Sequence, residues 1–121
     1  MSYNLFESKE SPEEFDIFRV NFIYQEDKLE QSPRFKNRPG LIVTVGFFGG
    51  KYHEVAMITS KNTGSNDYEI IDWKQAGLSE KCYIRFLRKE LVEASKITAN
   101  EYVGRLTDKD IQRIKSMRLN K

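Results

Sequence analysis

The longest apolar run in the chain, "LIVTVGFF" (Leu41 to Phe48), is hemmed in by Arg38-Pro39-Gly40 on one side and Gly49-Gly50 on the other. It falls far below the roughly 20 residues that a membrane-spanning helix needs. Turn-forming residues at both ends make it a buried strand. Every other apolar stretch is shorter, so the chain is confined to brief elements joined by turns around a modest core.

The rest of the pattern agrees. In "FDIFRVNFIY" the apolar residues Phe18, Val20, Phe22 and Tyr24 alternate with polar ones, which predicts a strand over about Phe15 to Tyr24. The polar tract "QEDKLEQSPRFKNRPG" (Gln25 to Gly40) separates it from the apolar strand, too long for a tight hairpin and hence a candidate functional loop. Further strands are expected in "KYHEVAMITS", "YEIIDW" and "KCYIRFL". Between the last two, "DWKQAGLS" reads as a connection in which Gly77 ends a short turn. "ELVEASKI" and "EYVGRL" read as short strands, the first with a helical alternative on propensity. One helix stands out, because Thr107 with Asp110 three residues later resembles a capping box, and Ile111, Ile114 and Met117 fall on one face. Short strands with a terminal helix predict a strongly curved sheet or SH3-like barrel.

With 121 residues, 39% hydrophobic and 31% charged, there is room for one domain. Residues 1–14 form an acidic N-terminal extension carrying Glu7, Glu10, Glu13 and Glu14, and the domain occupies 15–121. The lone Cys82 and lone His53 exclude an internal disulfide and a Cys/His zinc site. No metal-spacing motif, phosphate-cradling glycine loop or nucleophile elbow is present. With no long apolar segment near the N-terminus, a reducing, cytoplasmic location is expected and no membrane partner. The net charge of +2 decides little, although the basic residues fall after the acidic start. They suit either a polyanion or a solubilised surface.

The order of "FDIFRVNF", a loop, "NRPGLIV", "AMITSK", "EIIDWKQAGL", "CYIRF" and "VGRLTDKDIQRI" resembles the MazF/PemK toxins of bacterial toxin–antitoxin systems, from about Phe15 to Met117. The resemblance implies a small SH3-like barrel of the CcdB/MazF/Kid type with a C-terminal helix. It also implies a homodimer that needs no cofactor or metal and cleaves single-stranded RNA by attack of a 2′-hydroxyl on the adjacent phosphate. The products carry a 2′,3′-cyclic phosphate and a 5′-hydroxyl. A cognate antitoxin protein would block the RNA groove.

By that resemblance the catalytic residues are Arg38, Thr59, Ser60 and Arg85, with Glu30, Phe35, Lys36 and Lys61 binding RNA. The chemistry suits the residue types. A phosphate undergoing attack accumulates charge, and a guanidinium stays ionised and can grip two of its oxygens at once. In this reading Pro39 stiffens the backbone, Gly40 permits a tight entry, and Arg38 is held at the rim of a rigid strand. Thr59 and Ser60 supply hydroxyls for phosphate oxygens, with a local turn cap as the rival explanation. The alternation in "CYIRFL" sets Arg85 on the face opposite Ile84, although a solvated strand position would look the same. Phe35, flanked by Arg34 and Lys36, is the aromatic best placed to stack on a base, ahead of Phe47, Phe48, Tyr52 and Trp73.

The chain also departs from the family. Leu87 stands where the PemK/Kid branch has an acid, the loop before Arg38 lacks a histidine, and His53 lies on the following strand, where a surface role is the simpler reading. Glu30 is the candidate general base or arginine-orienting group. The second function class left open is a non-catalytic, toxin-like barrel that binds RNA, an antitoxin or another protein, including a gyrase-poison role.

Overall fold

The computed structural model describes residues 11–23, 29, 31–61 and 67–119. Six strands, β1 (Asp16–Ile23), β2 (Phe35–Phe47), β3 (Tyr52–Thr59), β4 (Tyr68–Glu69), β5 (Tyr83–Glu93) and β6 (Tyr102–Arg105), precede one helix, α1 (Asp108–Leu119). They form a single antiparallel sheet in the order β4-β5-β3-β2-β1-β6, curled into a half-barrel.

Both faces of this sheet are covered, which explains the unbroken apolar stretch of β3. Val55, Ala56, Met57 and Ile58 are all buried. One face carries Ile17, Leu41, Ala56, Ile58 and Ile84, packed beneath Ile111 and Ile114 of α1. The other carries Phe18, Val20, Phe22, Ile42, Val55 and Met57, closed by Ile97 and by the partly buried Tyr102. Phe18 and Tyr102 meet edge to face with ring centroids 5.4 Å apart.

Four elements differ from the sequence reading. First, β2 begins at Phe35, so Arg38-Pro39-Gly40 lies inside the strand and not at its entry. Pro39 fits there because its β1 partner is Arg19, whereas registered pairing with β3 begins only at Gly40↔Met57. Its missing N–H therefore faces an open edge, the position where a sheet tolerates proline. Gly40 owes its identity to packing, because a Cβ there would come within 2.5 Å of Val55 Cγ1.

Second, the strand expected in "YEIIDW" stops after Tyr68–Glu69. The carboxylate of Asp110 accepts the next free amides, Ile71 N–H at 3.0 Å and Asp72 N–H at 2.9 Å, so they serve a side chain instead of a ladder. Third, "KCYIRFL" and the start of "ELVEASKI" join into one strand, which ends in a 3₁₀ turn at Ala94–Lys96. A large bulge interrupts it. Ala56 pairs with Lys89 while the next residue, Met57, pairs with Arg85, so Phe86, Leu87 and Arg88 loop out. Leu87 is thrown into solvent, and Arg88 turns inward to donate to the Ile23 carbonyl and, at 3.0 Å, to Glu90. Fourth, α1 is capped at Thr107 as expected, with Asp110 N–H donating to its Oγ1 at 3.4 Å, but Met117 is half exposed.

The end of the acidic extension is tied to the domain. Glu13 N–H donates to Asp16 Oδ2 at 2.9 Å, and Arg105 donates to the Glu14 carbonyl at 2.9 Å and to buried Asp16 at 3.1 Å.

Candidate functional site

Because pairing between β2 and β3 stops at Gly40↔Met57, while β1–β2 continues to Ile23↔Phe35 and β3–β5 to Thr59↔Tyr83, the sheet splits at this end. A cleft of about 490 Å³ fills the split. One bank is Arg19 of β1 with Lys36, Arg38 and Pro39 of β2. The other is Ile58, Thr59, Ser60 and Lys61, the segment Leu78–Glu80, and Arg85 of β5. Arg38, Thr59, Ser60 and Arg85 thus line one cavity, together with Lys36 and Lys61.

The lining is strongly cationic, with five basic side chains and one carboxylate, Glu80, among the described residues. Charges of one sign crowded into a concave surface focus a field that attracts anions. Arg38 is exposed and spends one hydrogen bond, from Nη1 to the Asn37 carbonyl at 3.1 Å. Its Nε and Nη2 have no partner among the described residues. Arg85 is more constrained, with Nε 3.9 Å from Asp67 Oδ1. At that distance the pair is a loose ion pair and not a hydrogen bond. Met57 is the cross-strand partner of Arg85, while buried Ile84 points the other way, as the alternation required.

Thr59 Oγ1 accepts the Lys61 N–H at 3.2 Å, so its side chain does close the local turn. Its own O–H proton is not spent by that bond and can still be donated. Ser60 and Lys61 are exposed beside it.

Other expected participants lie elsewhere. Phe35, at 58% exposure, lines a neighbouring cleft of about 420 Å³ together with Asn21, Asn37 and Val92. Glu30 lies outside the described residues. His53 is buried and pairs with Val45 six residues back along β3 from Thr59. Its Nδ1 accepts the Gly46 N–H at 3.2 Å, and burial pushes its pKa below the usual imidazole value. Phe47, Phe48 and Tyr52 cluster around the β2–β3 hairpin, and Trp73 packs on the core. Cys82 reaches the first cleft, but it is buried, donates to the Glu80 carbonyl at 3.1 Å, and its thiol pKa is pushed up by burial. A thiol of that kind is a poor nucleophile at neutral pH.

Arg19 and Glu80 are the charged cleft residues that sequence reasoning passed over. Arg19 looked like polar relief on a strand, and only the register Arg19↔Pro39 brings it beside the Arg-Pro step. Among the described residues no three His, Cys, Asp or Glu side chains group closely enough to hold a metal ion, and no helix is long and apolar enough to cross a membrane. Comparison of the chain with family models and with curated proteins finds no match.

Proposed function

We propose that the chain is an endoribonuclease toxin of the MazF/PemK kind, cleaving single-stranded RNA without a metal. The observation that carries this reading is the convergence of Arg38 of β2, Arg85 of β5, Thr59 at the end of β3 and Ser60 just beyond it into one cationic cleft. The attacking 2′-oxygen forms a bond to phosphorus as the bond to the 5′-oxygen breaks, giving a 2′,3′-cyclic phosphate and a 5′-hydroxyl. Arg38 and Arg85 neutralise the charge that builds on the non-bridging oxygens, and Thr59 and Ser60 hold the phosphate in register. Glu80, the carboxylate that lines the cleft among the described residues, takes the 2′-hydroxyl proton, and the departing 5′-oxygen takes a proton from solvent water.

The protein is a homodimer in this proposal, with the RNA path crossing both subunits. An acidic antitoxin segment competes for the same basic cleft, ordering as it binds. A monomer by light scattering at micromolar concentration would remove the composite groove, and simultaneous binding of RNA and antitoxin would remove the competition.

One observation favours the second reading, a barrel that binds without cutting. Among the described residues the cleft contains no histidine, and Glu80 has no second acid beside it in the lining to act as proton donor. Incubation with a long RNA in excess EDTA, followed by end-group analysis, separates the two. Cleavage to 5′-hydroxyl ends supports the enzyme. Arg38→Lys and Arg85→Lys should each lower turnover by about 10²-fold or more if the planar fork matters. Arg113→Ala, on the exposed side of α1, should keep activity. Intact RNA that is nevertheless bound by the wild-type protein would leave the binding module in place of the nuclease.

A further inference from the structure

Two guanidinium groups share one acceptor at the cleft. The Asn37 carbonyl receives Arg38 Nη1 at 3.1 Å and Arg19 Nη2 at 3.2 Å. Asn37 holds Arg19 a second time, through Oδ1, which accepts Arg19 Nε at 2.5 Å. The Asn37 amide is itself fixed, because its Nδ2 donates to Asn21 Oδ1 at 2.8 Å. Like charges gathered on a single oxygen repel, and no carboxylate among the described residues bonds to either guanidinium. An anion beside them relieves that repulsion.

The bonds already made divide the two arginines by task. Arg38 keeps Nε and Nη2 for a ligand, enough for a two-pronged grip on one phosphate. Arg19 has committed Nε and Nη2 to Asn37 and offers chiefly Nη1, which suits a single charge-assisted bond. Position adds to chemistry. Arg19 lines both the first cleft and the second, the one that holds Phe35, so it stands where the two cavities meet. Phe35 and Asn37 sit on one side of β2, and Lys36 and Arg38 alternate with them.

Resting on the nuclease reading above, we propose that Arg19 binds a second phosphate of the same RNA strand, next to the one gripped by Arg38, and that the adjoining base enters the second cleft against Phe35. Asn37 is the positioning residue. It sets the spacing of the two cations and so the register of the strand across the clefts. Asn37 Oδ1 and Nδ2 are engaged with Arg19 and Asn21, which leaves the Asn21 amide nitrogen at the cleft wall as a donor to a base edge.

The test uses 2′-O-methyl RNA oligonucleotides of increasing length, which lack the attacking hydroxyl and therefore report binding alone. With the wild-type protein, affinity should step up when the oligonucleotide becomes long enough to reach Arg19. Arg19→Ala should abolish that step and reduce the slope of log affinity against log salt by about 0.7, the change for one lost phosphate contact on a single strand. Asn37→Ala, which keeps both charges, should shrink the step while leaving the salt slope nearly unchanged. Phe35→Leu should weaken the longer oligonucleotides by about tenfold and leave the shortest unaffected. If Arg19→Ala binds the whole series as wild type does, with the same salt slope, this inference falls and the nuclease reading stands. If the wild-type protein binds none of the series, both fall.

Discussion

Gly104 of β6 lies directly against the main chain at Gly77. A Cβ on Gly104 would come within 2.0 Å of the Ala76 carbonyl oxygen and 3.4 Å of Gly77 Cα, while Gly77 itself has φ +95° and faces the Val103 carbonyl. The segments "AGL" and "VGRL" are therefore the two halves of one backbone contact, which packs the 70–78 connection against the sheet edge. Gly104→Ala must push these chains apart, and about 3 kcal/mol of stability should be lost, measured by urea unfolding.

A second prediction concerns Asp110. Its fully buried carboxylate accepts the Tyr68 hydroxyl at 2.7 Å and the two amides that end β4. Asp110→Ala would strand three donors, and a loss of about 3–5 kcal/mol is expected, while Asp110→Asn should cost less by keeping one acceptor. Burial, and then the bond to Asp110, push the Tyr68 pKa up to about 12. The neutral phenol is the form the fold favours, so this contribution is intact below pH 10 and is lost as pH rises from there towards 12. Spectrophotometric titration should show one tyrosine ionising late, and Asp110→Ala should bring it forward.

Acid should act through His53. Its pKa is lowered in the fold, so the unfolded chain takes up a proton that the native protein refuses. Stability is then complete above the unfolded value of 6.5 and falls as pH drops below it. Protonation would also set an N–H against the Gly46 N–H that now donates to Nδ1. Urea midpoints measured between pH 7.5 and 5 should decline in the wild-type protein and decline less in His53→Gln.

For the nuclease reading, Glu80→Gln should lower RNA cleavage by about 10²-fold while leaving affinity for 2′-O-methyl RNA within about twofold, because removing a general base spares the phosphate contacts. Equal loss of binding and cleavage would make Glu80 a structural residue and return the search for a base to other groups.

β1, β3 and the capped helix could be read from the chain, since they rest on local alternation and capping, and the order of motifs singled out Arg38, Thr59, Ser60 and Arg85, which the structure gathers along one cleft. What escaped depends on pairing between distant residues. The Gln25–Gly40 tract looked like a loop because it is polar and carries proline. Its last residues become strand only because β1 supplies a partner for them. Likewise "YEIIDW" has strand composition, but a carboxylate 38 residues away takes its amides. Phe35 and Arg19 needed the same register to be placed, the first outside the main cleft and the second within it.

The looped-out residues of β5 have a mechanical consequence. Arg85 and Lys89 flank the bulge, and the guanidinium of Arg88, the last of the looped-out residues, is fastened to the carbonyl of Ile23, the last residue of β1. A short stretch of chain and one anchored side chain thus join the far bank of the cleft to the strand that carries Arg19. Drawing the two banks apart would first have to break the bond between Arg88 and the Ile23 carbonyl, so the width of the cleft is tied to a side chain that is not among its lining residues.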